Sequence, residues 1–220
     1  MKYTIALFDL DGTVTDSGPG ILNSIRYALS KYKLPVPPEK VLRTFIGPPL
    51  KEQFQAVCAL TEEESARMVE AYREYYTDKG IFENSVYRGV PELLEQLQKA
   101  GVRILMATAK PEEFAKRIAE HFGFAKYFEF IGGARMDGRR TDKHEVIEYV
   151  LASCGISEDE RRQAVMIGDR SHDMIGAEKA GIHSLGVLYG YGTKEELENA
   201  GAELTAETPA QIAEMGQFLK

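Results

Sequence analysis

Two aspartates separated by a single residue, Asp9 and Asp11, begin the part of the sequence that could carry chemistry. They come directly after a short apolar run, Tyr3 to Phe8, and an extended backbone would point both carboxylates the same way. Carboxylates held this close together repel each other unless a cation or a shared proton relieves them. The pair therefore predicts a metal site, a proton-transfer role, or both.

Two other interpretations of this segment are a calcium-binding loop and a simple turn. A calcium loop that begins with Asp-x-Asp needs Asp or Asn at its fifth position and Gly at its sixth. Here those positions hold Thr13 and Val14, which excludes the calcium loop. A turn that merely uses Asp and Gly stays open on this segment alone.

A second acidic pair, Asp169 and Asp173, ends another apolar run in the sequence GDRSHD at 168–173. A site rich in carboxylate oxygens favours Mg²⁺, which binds one or two carboxylates together with substrate phosphate. Taken singly, Asp173 is equally typical of an acid in the first turn of a helix, where the helix dipole favours it.

Two further residues could contact a phosphate group. Thr108 ends an apolar run ahead of a predicted helix start, where its hydroxyl and the neighbouring amides suit a phosphate oxygen. Lys143 lies near another helix start and could neutralise charge in a transition state. Each residue alone is more typical of a helix cap or a solvated charge, so they gain weight only beside the acidic pairs.

The apolar runs alternate with helical patterns along the chain. Runs typical of strands covered on both faces lie at 3–8, 102–108, 164–168 and 184–188, with a weaker one at 128–131. This alternation predicts an α/β layered fold with a parallel sheet. Open α/β sheets bind ligands at the carboxyl ends of their strands, which is where the acidic pairs are expected.

The pattern from about Ser17 to Asp78 consists of helices alone, interrupted by a turn at 47–49. A chain of 220 residues has room for one core domain that carries a smaller inserted domain. We therefore predict a core formed by residues 1–15 and 86–220, with residues 16–85 as an all-helical insert.

Charge and composition restrict the expected partners. The formal net charge of −7 argues against nucleic acid polymers and anionic membranes, while a bound cation would still allow a small anionic substrate. No signal peptide precedes Asp9 and no apolar run is long enough to span a bilayer, so we expect a cytoplasmic protein. Cys58 and Cys154 lack a CxxC partner and are predicted to be buried, reduced thiols.

Four segments, taken together and in this order, resemble the haloacid-dehalogenase-like hydrolase superfamily: DLDGT at 9–13, Thr108, Lys143 and GDRSHD at 168–173. Within it, the chain is similar to phosphatases that carry a helical cap after the first strand. The resemblance spans nearly the whole chain. It implies a Rossmann-like catalytic core, a cap over the active site, a Mg²⁺ cofactor and a small phosphorylated metabolite as substrate, and we expect a monomer or homodimer.

The resemblance also implies roles for individual residues. Asp9 would be the nucleophile that forms an aspartyl-phosphate, and Asp11 the acid and then the base. Thr108 and Lys143 would hold the phosphate and neutralise its charge. Gly12 and Ala109 would complete the phosphate-binding set. The metal would be bound by Asp9, Asp11, Asp169 and Asp173.

Substrate choice is less sharply implied. The segment from Arg43 to Lys51 is similar to the cap loop of phosphoglycolate-phosphatase-like members, and these two residues are either substrate contacts or solvated helix charges. The segments at 137–140 and 186–192 are similar to a bacterial branch of 5'-nucleotidases. We expect a nucleoside 5'-monophosphate or a phosphoglycolate-like acid as substrate. A sugar phosphomutase and a non-catalytic binding or regulatory protein are the alternatives, whereas Asp11 disfavours dehalogenation because halide needs no proton.

Overall fold

A parallel sheet of six strands forms the centre of the larger part of the chain in the computed structural model, which describes residues 2–218. The strand order is β5-β4-β1-β6-β7-β8, and a separate two-stranded sheet pairs β2 with β3. The strands are β1 (Ile5–Phe8), β2 (Thr15–Asp16), β3 (Ser85–Val86), β4 (Arg103–Pro111), β5 (Phe130–Ala134), β6 (Ala164–Gly168), β7 (His183–Val187) and β8 (Leu204–Ala206).

The described chain divides into two compact units, one of residues 2–16 with 86–218 and one of residues 17–85. The first unit contains the six-stranded sheet together with α5 (Val90–Lys99), α6 (Glu112–His121), α7 (Lys143–Ser153), α8 (Glu158–Arg161), α9 (Ser171–Lys179), α10 (Lys194–Asn199), α11 (Pro209–Glu214) and a 3₁₀ helix (Ala125–Tyr127). The second unit contains α1 (Gly18–Lys31), α2 (Glu39–Leu42), α3 (Leu50–Cys58), α4 (Glu62–Tyr76) and two 3₁₀ helices (Arg43–Phe45, Gly80–Phe82). The assignment of these units as catalytic core and cap stays a prediction.

The sheet is buried, which explains the apolar runs of the sequence. Leu7 on β1 lies in register with Leu105 on β4 and with Met166 on β6, and all three are fully buried. Side chains of α7 and α9, among them Val146 and Ala177, close one core cluster against these strands. Burial of this kind is the dominant stabilising contribution to such a fold.

The register of the central strands decides where the polar residues after them lie. Phe8, the last residue of β1, pairs with Met106 on one side and with Ile167 on the other. Asp9 and Asp169 each come shortly after these paired positions, and Thr108 lies two residues beyond Met106. The carboxyl ends of three neighbouring strands therefore bring these three side chains to one edge of the sheet.

The prediction of a parallel α/β sheet is confirmed, although the strand ends differ. The weak strand expected at 128–131 is β5, which begins at Phe130 and continues through Gly132 and Gly133 to Ala134. The Gly-Gly pair obscured it, because glycine in the interior of a strand weakens the strand and has no side chain to pack. The structure gives the reason for Gly133: a Cβ there would lie 2.5 Å from the carbonyl oxygen of Lys110.

The two cysteines are free, as predicted, but they are only partly buried. Cys58 is the last residue of α3, and Cys154 follows the end of α7, where it packs against the core cluster as a partly buried side chain. The expectation of buried thiols is therefore wrong, whereas that of unpaired thiols agrees with the structure. Among residues 2–218, none of the helices has the length and apolar character needed to cross a membrane.

Candidate active site

A buried lysine joins two of the acids at the edge of the sheet. The Lys143 Nζ atom lies 2.9 Å from Asp9 Oδ1 and 2.8 Å from Asp173 Oδ1. It also donates a hydrogen bond of 3.0 Å to the carbonyl oxygen of Ala107. The three charged side chains are almost fully buried, with 1%, 6% and 0% of their surface exposed, so this ion-pair cluster is shielded from water.

Local structure explains how Lys143 reaches this position. Helix α7 begins at Lys143, and the side chain of Asp142 caps it by accepting the His144 N–H. Helix α9 passes the same point with Gly176, where a Cβ would lie only 2.8 Å from Lys143 Cγ. The absence of a side chain at Gly176 leaves room for the lysine chain between α7 and α9.

The charges in this cluster stabilise one another. Burial alone would lower the pKa of Lys143, but the carboxylates of Asp173 and Asp9 outweigh burial and raise it above its usual value. Burial would likewise raise the pKa of Asp173, but Lys143 and His172 outweigh it and lower the pKa. Lys143 is therefore cationic and Asp173 anionic at neutral pH.

At Asp169 the compensation is too weak, because the Tyr191 N–H and the charge of Arg170 lower the pKa of its carboxyl by less than burial and its acidic neighbours raise it. Its carboxylate is fully buried and accepts hydrogen bonds from the Tyr191 N–H at 2.7 Å and from the Thr13 hydroxyl at 3.4 Å. Burial, followed by the negative charges of Asp173 and Asp9, raises the pKa of Asp169 well above its usual value. A cation bound beside Asp169 would supply the positive charge that is needed to offset the burial of its carboxylate.

The donor atoms at this edge fit a divalent cation. One potential ligand atom each of Asp9, His172 and Asp173 lies within 4.8 Å of the other two. Among residues 2–218, this is the group of three or more His, Cys, Asp or Glu side chains that lie close enough together to hold a metal ion. It differs from the predicted metal set, because Asp11 and Asp169 are outside it and His172 is inside. Sequence reasoning missed His172, whose signal was its place beside Asp173 in the GDRSHD segment.

Asp11 lies next to a lysine to which sequence reasoning gave no role. Lys110 Nζ lies 2.6 Å from Asp11 Oδ2, and the lysine side chain is only 6% exposed. The other oxygen, Asp11 Oδ1, is buried and accepts no hydrogen bond within the part of the chain that the structure describes. Lys110 follows Thr108 by two residues, which was the available signal.

The predicted phosphate-binding residues occupy the same strand ends. Thr108 is 1% exposed, and its hydroxyl oxygen accepts the Lys110 N–H at 3.2 Å. Ala109 lies beside it on β4. Gly12 has a φ of +85°, and a Cβ at this position would lie 2.1 Å from Asp169 Oδ2, so a residue without a side chain is required.

The two predicted cap contacts pair with acids of their own unit. Lys51 Nζ lies 2.7 Å from a Glu62 oxygen, and Arg43 Nε lies 3.8 Å from a Glu39 oxygen. Both basic side chains are substantially exposed. This is the arrangement of solvated helix charges, and a role in substrate binding stays a prediction.

Replacing Asp169 with Asn is expected to stabilise the metal-free protein increasingly as the pH rises. The raised pKa means that Asp169 holds its proton more tightly in the folded than in the unfolded protein. Wild-type stability therefore falls as the pH rises from the pKa of Asp169 in the unfolded chain towards its pKa in the folded protein. Asn keeps an acceptor for the Tyr191 N–H and cannot ionise. Melting temperatures measured in EDTA from about pH 4 to about pH 8 should diverge in favour of the variant.

Asp159→Asn, an exposed change of the same chemistry on α8, is the control for this experiment and should follow the wild type at every pH. Parallel pH profiles for Asp169→Asn and the wild type would contradict the electrostatic description of Asp169.

Comparison with known proteins identifies the family. The sequence model of the family described as haloacid dehalogenase-like hydrolase matches residues 6–187 of this chain. A 5'-nucleotidase of Pseudomonas aeruginosa is 42% identical over 220 residues, covering 100% of this chain and 97% of that protein. A phosphoglycolate phosphatase of Haemophilus influenzae is 31% identical, covering 96% and 97%.

A relative with a different name also belongs to this set. The tyrosine-protein kinase PtkA of Mycobacterium tuberculosis is 38% identical over 215 residues, covering 98% of this chain and 72% of that protein. Among solved structures, a predicted phosphatase from Clostridium acetobutylicum superposes with a TM-score of 0.90 at 42% identity, covering 98% of both chains. The chain therefore belongs to the haloacid dehalogenase-like hydrolase family, as a phosphoric monoester hydrolase.

Proposed function

We propose that this hydrolase is a Mg²⁺-dependent phosphatase that cleaves small phosphate monoesters through an aspartyl-phosphate on Asp9. The observation that carries the proposal is the buried Asp9 carboxylate at the carboxyl end of β1, held by the Lys143 ammonium at 2.9 Å. A fixed carboxylate beside a permanent positive charge suits attack on an anionic phosphate, because the lysine offsets the repulsion between them.

Each covalent step uses residues already at this edge. Asp9 would attack phosphorus, and the oxygen of the leaving alcohol would take a proton as its bond to phosphorus breaks. Water would then attack the aspartyl-phosphate, release inorganic phosphate and regenerate the Asp9 carboxylate. Thr108, which is buried and lies two residues beyond Met106 on the strand next to β1, would hold a phosphate oxygen during both steps.

Asp11 is the residue that we propose for proton transfer. Lys110 holds Asp11 Oδ2 at 2.6 Å, whereas Asp11 Oδ1 accepts no hydrogen bond from residues 2–218. The two carboxylate oxygens of Asp11 can therefore have different roles. Oδ2 fixes the orientation of the side chain, and Oδ1 carries the proton to the leaving oxygen and later receives one from water.

The acids around Asp9 would hold the cation. We propose Asp9, Asp169 and the main-chain carbonyl of Asp11 as its ligands, with Asp173 as a supporting residue and His172 within reach. The raised pKa of Asp169 supports this assignment, because the Tyr191 N–H and the charge of Arg170 do not offset the burial of that carboxylate and its acidic neighbours. When bound, Mg²⁺ would neutralise charge on the phosphoryl oxygens.

For the substrate we propose a nucleoside 5'-monophosphate or a phosphoglycolate-like acid, handled by a cytoplasmic monomer or homodimer. The 5'-nucleotidase and phosphoglycolate phosphatase among the relatives support these two classes. In this proposal the helical unit of residues 17–85 is a cap that supplies contacts beyond the phosphate, with Arg43 and Lys51 as candidates.

Phosphate release from a panel of monoesters tests the proposed function directly. We expect release with Mg²⁺ and almost none in EDTA, with nucleoside 5'-monophosphates or phosphoglycolate turned over fastest. Conversion of a sugar phosphate without phosphate release would favour the mutase. Transfer of phosphate from ATP to a tyrosyl peptide, without hydrolysis of any monoester, would favour a kinase like PtkA. Inactivity throughout the panel would contradict the phosphatase proposal.

A further inference from the structure

The loop Tyr189-Gly190-Tyr191-Gly192, called here the 189–192 loop, follows β7 and has no role in the proposed chemistry. Its contacts reach both acid-bearing segments of the site. The Tyr191 N–H donates to Asp169 Oδ2 at 2.7 Å, and the Tyr191 hydroxyl donates to Asp16 Oδ1 at 2.7 Å. The Tyr189 hydroxyl donates to the carbonyl oxygen of Thr13 at 3.1 Å.

These hydrogen bonds join segments that are far apart in the chain. Thr13 lies in the turn after β1 that also carries Asp11, and Asp16 is the last residue of β2, whereas Asp169 follows β6. Tyr191 contacts both sides by itself, with its main chain on one and its hydroxyl on the other. The 189–192 loop therefore connects two of the segments proposed to hold the cation.

The glycines of the loop show how closely it packs. A Cβ on Gly190 would lie 2.3 Å from the Gly12 carbonyl oxygen and 2.4 Å from Asp169 Cβ. A Cβ on Gly192 would lie 1.9 Å from the Asp169 carbonyl oxygen. Main chain thus packs directly on main chain around Asp169, and a side chain at either glycine would displace the acid.

Aromatic packing fixes the tyrosine side chains. The rings of Tyr87 and Tyr189 meet edge to face with centroids 5.1 Å apart. Tyr87 is itself bound to the turn after β1, because its N–H donates to the Val14 carbonyl oxygen at 3.1 Å. The Tyr189 hydroxyl is thereby held at its position over the Thr13 carbonyl.

We propose that Tyr189 and Tyr191 are positioning residues that set the distance between the segment of residues 9–16 and Asp169, and so determine Mg²⁺ affinity. The proposal rests on the proposed function, in which those segments bind the cation. Neither hydroxyl touches the reacting atoms in this account. Residues that orient metal ligands typically change metal affinity by about 10-fold to 100-fold when they are replaced.

The test is calorimetric titration of the metal-free protein with Mg²⁺, which reports binding without turnover. Tyr191→Phe and Tyr189→Phe each remove one hydroxyl and keep the ring and the main chain. We expect each to weaken Mg²⁺ binding by about 10-fold, and the Mg²⁺ concentration for half-maximal activity to rise equally, with kcat at saturating Mg²⁺ nearly unchanged. Tyr149→Phe, in the same unit with its ring packed on Phe130, is the matched control and should bind like wild type.

Variants of Asp16 separate positioning from a merely structural role. Asp16→Asn keeps an acceptor for the Tyr191 hydroxyl and should bind Mg²⁺ like the wild type. Asp16→Ala should weaken Mg²⁺ binding in the same direction as Tyr191→Phe, which also removes a hydrogen bond between the Tyr191 and Tyr87 side chains. The loss in the double variant should be smaller than the sum of the two single losses, because both changes remove the Tyr191–Asp16 hydrogen bond. Melting temperatures confirm that each variant is folded.

Wild-type Mg²⁺ affinity in both tyrosine variants would overturn the proposal, and so would a lower kcat with unchanged Mg²⁺ affinity. Absence of Mg²⁺ binding by the wild type would overturn the metal-dependent function, and the role of the loop with it. Phosphatase activity that is equally high with Mg²⁺ and in EDTA would also overturn both the metal-dependent function and the role of the loop.

Discussion

Asp9→Asn is expected to lower phosphate release by about 10⁴-fold or more, because it removes the nucleophile and keeps the shape of the side chain. Asn cannot form an aspartyl-phosphate, so the two-step route is closed. The amide oxygen still faces Lys143, and Asp173 still neutralises that lysine at 2.8 Å. The variant should therefore fold, and the loss should appear in kcat.

The measurement is steady-state phosphate release at saturating Mg²⁺, beside the melting temperature of each protein. Asp159→Asn, the exposed change on α8, is the control and should retain wild-type kcat. An Asp9→Asn enzyme that kept a substantial part of the wild-type kcat would show that the nucleophile is another group.

Lys143→Met is expected to destabilise the metal-free protein by about 3–5 kcal/mol, because it leaves two buried carboxylates without their cation. Asp9 and Asp173 are 6% and 0% exposed, and both have an oxygen within 2.9 Å of the lysine nitrogen. Methionine has a similar length, so the loss is mainly electrostatic and not a cavity. Urea unfolding at neutral pH measures it.

Lys99→Met provides the comparison on the surface. Its Nζ lies 2.6 Å from a Glu95 oxygen, but the lysine side chain is 72% exposed, and we expect a change of no more than about 0.5 kcal/mol. Millimolar Mg²⁺ should recover part of the stability of Lys143→Met, since it supplies positive charge to the same acids. Equal unfolding curves for the two lysine variants would contradict the described cluster.

The sheet was predictable because its central strands are buried on both faces, and such strands appear in the sequence as continuous runs of apolar residues. Ala164–Gly168 is the clearest example, with bounds that agree with β6. The edge strand β8 was missed, since it has only three residues, two of them partly exposed, and shows no apolar run. Beyond Thr108, β4 continues with a shift in register relative to β5, which no pattern in the sequence indicates.

The acids of the site were predictable from their places at strand ends, but their partners were not. Lys110 and Asp11 are 99 residues apart, and Tyr191 and Asp16 are 175 residues apart. Such pairs depend on which strands are neighbours and on how each side chain is turned. Spacing along the chain carries neither kind of information, so the role of the 189–192 loop became visible only in the folded protein.

The most direct test of the central claim is to trap the phosphoryl group on the enzyme. Wild-type protein is mixed with ³²P-labelled substrate and Mg²⁺, quenched in acid within one turnover and digested for mass spectrometry. We predict one phosphoryl group on Asp9 that decays as phosphate is released, and none in Asp9→Asn. Rapid phosphate release without label on the protein, or label on any other residue, would contradict the account.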